Sequence, residues 1–142
     1  MKLPPRSFLP PALLFLGALY LDHTITQYGL QHALAAEGNP AAVLAWEFIT
    51  PNVAVLLWAA VILGTAYVLY CFHHPRLALV LLYAGFAGHM IGFFTWTPII
   101  GSLMWPLHEH LGDWWTLVIQ YVGYVILGAL LERLHRFVAN GK

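Results

Sequence analysis

Four stretches of the chain are apolar for about 20 residues or more, and short clusters of polar, glycine and proline residues separate them. The first begins after Pro10-Pro11 and runs to about residue 35, proline being well suited to the first turn of a helix. Gly38 and Pro40 stop it, because glycine suits a helix end and proline cannot continue one. Asn39-Pro40 then reads as the cap and first residue of a short helix, AAVLAWEF, lying in the membrane interface. Thr50-Pro51 repeats that signal and opens a second span over about 51–72. His73-His74-Pro75 is a tight turn into a third span over about 76–97. A loop with room for a short helix covers 98–112, and Asp113 caps a fourth span over about 113–137. The expected fold is all-α: one transmembrane domain over 1–142, a four-helix bundle with short interfacial helices on its outer side.

Composition supports a bilayer setting. The chain is 61% hydrophobic and 8% charged, against about 25% charged residues in an ordinary soluble domain. Lys2 and Arg6 before an apolar run resemble a signal peptide, but no small-residue cleavage site follows, so the segment reads as a span. With four spans, Lys2, Arg6, Arg76, Arg133, Arg136 and Lys142 all fall on one side. Lysine and arginine next to span ends stay cytoplasmic, which puts both termini inside a prokaryotic cell membrane. The formal net charge of zero carries no nucleic-acid footprint. The lone Cys71 excludes an internal disulfide, a thiolate zinc site and an iron–sulfur cluster. No nucleophile elbow, phosphate-binding loop, HExxH or dinucleotide fingerprint occurs.

Within the first span the pattern changes character at Asp22. From there the helix carries Asp22, His23, Thr24, Thr26, Gln27, Gln31 and His32. Polar groups are costly in hydrocarbon, and acids within a span mark ion, proton or ligand sites. At about 1.5 Å per residue, Asp22 and His23 lie roughly 17–20 Å into the first span and His89 about 20 Å into the third. Gln120 and Trp58 lie about 10 Å below the opposite surface. In a core of ~30 Å these five residues share one level. At about 100° per residue, Asp22, Thr26, Gly29, Ala33 and Glu37 form a track within an arc of roughly 80°. Gly85, His89, Gly92 and Trp96 share a face of the third span with Gly88 beside it, and Gln120, Gly123 and Tyr124 share a face of the fourth, with Gly128 at its edge. Small residues so spaced let helices approach closely. The expected ligand-binding set is Asp22, His23, Thr26, His89, Gln120, Glu37 and Asn39.

A second candidate lies at the outer boundary, where His32, His108, Glu109 and His110 gather with five tryptophans. Imidazole and carboxylate suit zinc, copper, nickel or iron, so this group is the candidate site for a divalent transition metal. Haem held between His23 and His89 is the other candidate cofactor, since axial histidines must face each other across a bundle.

Asp22-x-x-x-Thr26, Tyr28-Gly29 and Glu37-x-Asn39-Pro40 together resemble the first-hairpin signature of a family of small bacterial and archaeal polytopic membrane proteins of unknown function. The resemblance covers about 20 residues and implies that Asp22, Thr26, Glu37, Asn39 and Pro40 act as one unit. Members of that family often carry a lysine early in the second span and an asparagine in a later one. This chain has apolar residues and Trp58 in the first place, and His89 is the candidate for the second role. A lysine partner for Asp22 is therefore missing.

These readings lead to an outward-facing intramembrane polar site for a cation, a proton or a small polar ligand, in a binding or transport module. The competing readings are an accessory subunit holding haem or a pigment, and a small metal-dependent intramembrane enzyme. The expected partners are the lipid bilayer and either further copies of the chain or a larger membrane complex.

Overall fold

The computed structural model describes residues 7–32, 40–96, 106 and 109–140. Four long helices and one short one account for nearly all of them: α1 (Leu9–Gln31), α2 (Pro40–Trp46), α3 (Pro51–Cys71), α4 (Pro75–Thr95) and α5 (Asp113–Asn140). Three of these, Pro51–Cys71, Pro75–Thr95 and Trp114–Ala139, are long and apolar enough to cross a membrane. The other long helix, α1, falls short of that apolarity because its second half holds Asp22, His23, Thr24, Thr26 and Gln27.

The helix boundaries follow the local chemistry. Proline occupies the first turn of α1, α3 and α4, where the missing N–H costs nothing. Thr50 caps α3, its hydroxyl accepting from the Val53 amide at 3.4 Å. The turn between α3 and α4 closes through His73, whose φ of 64° lies in the left-handed region that histidine tolerates better than most side chains. The His74 amide reaches back to the Leu69 carbonyl at 2.8 Å and ends α3.

Helix α4 is the hub, packing against α1, α3 and α5, while the backbones of α1 and α5 do not approach each other among the described residues. The helices therefore fan around α4. Two seams determine how. On α1 one inward row runs from the N-terminal cap Phe8 through Ala12, Phe15, Leu19, Asp22, Thr26 and Gly29, alternating in steps of four and three, with the buried Pro11 and Ala18 beside it. On α4 they are Ala78, Leu82, Gly85, His89, Gly92 and Trp96, with the same alternation. A repeat of 3.5 keeps one face turned to a partner along its whole length, as in coiled coils. The seams run parallel and in register: Phe15 sits on Gly85, Asp22 on Gly92, and Trp96 on Thr26 and Gly29.

The lower half of this seam is apolar. Phe8, Ala12, Phe15 and Leu19 of α1 form one buried cluster with Ile62 and Ala66 of α3 and with Ala78 and Leu82 of α4. Against its other side, α5 runs antiparallel to α4 and approaches to backbone distance at Gly128, where an added Cβ would lie 2.6 Å from the Val80 carbonyl oxygen. The remaining faces of the helices expose large aliphatic and aromatic side chains along their length, from Leu13 and Leu16 to Val122 and Ile126. In lipid such exposure carries no hydrophobic penalty.

Candidate functional site

The seam turns polar one helical turn past Leu19. There Asp22 of α1, His89 of α4 and Trp58 of α3 form a hydrogen-bonded row. His89 Nδ1 lies 2.8 Å from Asp22 Oδ2, and the Trp58 indole N–H donates to His89 Nε2 at 3.1 Å. The Asp22 carboxylate rests directly on the α4 backbone, since an added Cβ at Gly92 would come within 2.7 Å of Oδ1. A side chain at that position would displace the carboxylate from its seat. The Phe15 ring packs at a tilt against the imidazole, with centroids 5.9 Å apart, and closes the row on the apolar side. The pair is sheltered but not sealed, with about a fifth of each side chain accessible (20% for His89, 21% for Asp22).

Next along the seam, the Trp96 ring lies over Gly29, and its indole N–H donates to Thr26 Oγ1 at 3.3 Å. The expected track of Asp22, Thr26 and Gly29 thus exists, and α4 covers it. Ala33, Glu37 and Asn39, which were to continue it, lie outside the described residues. Tyr124 of α5 packs on Gly88, beside His89, and lies within Coulomb range of Asp22.

Two members of the expected set go elsewhere. His23 is one residue from Asp22, hence about 100° around the helix, and it faces α3 instead. Its Nε2 meets Asn52 Oδ1 at 2.8 Å and ties α1 to the first turn of α3. Asn52 carries no signal of its own in the sequence beyond following the Thr50-Pro51 cap. Gln120 is half-buried on α5 and makes no hydrogen bond to the row among the described residues. The imidazoles of His23 and His89 thus engage different polypeptide partners.

The outer histidine group is only partly described. His32 folds back on its own helix, its Nδ1 2.8 Å from the Tyr28 carbonyl oxygen and its ring stacked on Tyr28 at 4.1 Å. Glu109 and His110 are exposed, and His108 lies outside the described residues. Among the described residues no group of three or more histidine, cysteine or acidic side chains is placed to hold a metal.

A second polar cluster joins α4 and α5 on the far side of Gly88. Tyr83 Oη and His135 Nδ1 are 2.7 Å apart. Glu132, only 3% exposed, is held by Arg136 one turn later in a two-point ion pair, with Nη2 donating to Oε2 at 2.9 Å and Nε 2.5 Å from Oε1. The i, i+4 spacing of an acid and a base is the signal that marks this pair in the sequence. One hydrogen bond, from Nη2 to Oε2, joins the pair, while the buried Oε1 and Nε face each other without hydrogen-bond geometry.

No family model, curated protein or solved structure matches the chain. The site therefore carries the functional argument by its own geometry.

Proposed function

We propose that the chain is a multi-pass membrane protein with four spans and both termini cytoplasmic. In this reading the Asp22–His89–Trp58 row is an intramembrane polar site, open toward the outer face, that exchanges a cation, a proton or a small polar ligand. The observation that carries the reading is the 2.8 Å contact between an acid and an imidazole contributed by separate helices in a largely apolar molecule. Ionisable residues at such depth are expensive, and the usual return on that cost is function.

Two further features support it. Helix α1 follows α4, a candidate span, in parallel from Phe15 to Gly29, which gives it the length and direction of a fourth span. Asp22 and Thr26 face α4 and His23 faces α3, as expected for a site-bearing helix.

Asp22→Asn tests the reading. The amide keeps the shape of the side chain and removes its charge. The expected outcome is a folded protein, by helical content and elution in detergent, whose solute or proton flux in proteoliposomes falls to that of protein-free vesicles. Wild-type flux in the variant for every solute tried would remove the site from the centre of the function.

A further inference from the structure

We infer that the species exchanged at this site is a proton, that it resides on Asp22, and that Trp58 is the residue that determines this by fixing the tautomer of His89. The inference deepens the reading above and rests on it.

An indole N–H donates and cannot accept. Its approach to His89 Nε2 at 3.1 Å therefore requires a lone pair on that nitrogen. A neutral imidazole then carries its single proton on Nδ1, which points at Asp22 Oδ2 from 2.8 Å. Protonating His89 would set an Nε2–H head to head with the indole N–H, losing one hydrogen bond and creating a repulsion. Protonating Asp22 on Oδ1 leaves both hydrogen bonds in place, and Oδ1 has no partner among the described residues. In the step itself a proton from water forms an O–H bond at Oδ1 and the carboxylate goes from −1 to 0. On release that bond breaks and the proton returns to water. His89 keeps its Nδ1 proton throughout and acts as a positioning residue.

The same arrangement disfavours the other candidate occupants. A histidine that donates Nδ1–H to a carboxylate binds a transition metal through Nε2, and here the indole covers that nitrogen. Calcium takes about 6–8 oxygen ligands, while Asp22 and Thr26 are the oxygen-bearing side chains that the seam supplies. The groups around the pair are the Phe15 ring of α1, Trp58 of α3, Gly92 of α4 and Tyr124 of α5. Tyr124 is the one further titratable group among them, and His23 is turned to Asn52.

The experiment is ¹⁵N spectroscopy of histidine-labelled protein in lipid nanodiscs, with His89→Gln assigning the His89 signals. The expected result is a protonated Nδ1 and a bare Nε2. Trp58→Phe uncovers Nε2 and is expected to bring in an Nε2–H signal. An Nε2–H tautomer or an imidazolium at His89 of the wild-type protein overturns the inference, and this wild-type measurement decides the matter even if Trp58→Phe does not fold. Flux separates the two levels of the argument. Asp22→Asn that loses a sodium or potassium flux but keeps proton flux overturns the proton assignment and leaves the site standing. Asp22→Asn with every flux unchanged overturns both.

Discussion

At the scale of single residues, the site depends on what Gly92 lacks. A methyl group there would sit 2.7 and 2.8 Å from the two Asp22 oxygens, closer than non-bonded atoms tolerate. The carboxylate is the free end of a side chain and can swing aside, so the cost to stability is about 1 kcal/mol, the lower end of the range for overpacking. The cost to the site is larger, because Asp22 can then no longer reach His89. Gly92→Ala is thus expected to unfold only slightly earlier than wild type in detergent and to lose the flux, while His89 keeps the Nδ1–H tautomer that Trp58 fixes. A variant with normal flux would show that the carboxylate's seat on the backbone is incidental.

At the scale of helices, the glycines of α5 separate two roles that their spacing alone does not. Gly123 was expected to bring helices together, yet an added Cβ there meets nothing within 4 Å. Gly128 faces backbone, with the Val80 oxygen at 2.6 Å and the Ala84 nitrogen at 2.7 Å. Backbone atoms cannot rotate away, so Gly128→Ala must wedge α4 and α5 apart, at about 2–3 kcal/mol. Gly123→Ala is expected to be neutral or to stabilise by up to about 1 kcal/mol, the difference in helix propensity. Thermal unfolding of the two variants in the same micelle checks the contrast, and equal effects would contradict the packing of α5 on α4. The Tyr83–His135 contact lies in the part of that interface that Gly128→Ala would open.

At the scale of the whole molecule, the proposed orientation has a direct readout in Cys71, the free and exposed thiol at the end of α3. It adjoins the turn bearing His73, His74 and Arg76, which the distribution of basic residues assigns to the cytoplasm. A membrane-impermeant maleimide is expected to leave Cys71 unmodified in intact cells and to label it in inverted vesicles. The reverse pattern would turn the molecule over and place the polar site near the cytoplasmic face.

Much of this was legible before any coordinates. The lengths of the apolar runs and the proline and threonine punctuation gave α3 and α4 within two residues of their observed ends, because helix initiation at Thr50-Pro51 and termination at His73-His74 are local events. The shared level of Asp22, Trp58 and His89 was equally readable, since position along a helix is a matter of counting residues. So was the shared face of Gly85, His89, Gly92 and Trp96, which follows from the helical period. What required the tertiary structure was the identity of each partner: His23 paired with Asn52, Gln120 outside the row, Gly123 open, and Trp96 laid over Thr26 and Gly29. The reason is geometric. Sequence determines height along a helix and angle around it, whereas a contact also depends on which helices are neighbours and how each is rotated toward the other. Here the decisive fact is that α4 lies at the centre of the fan, and only long-range packing among the helices determines that.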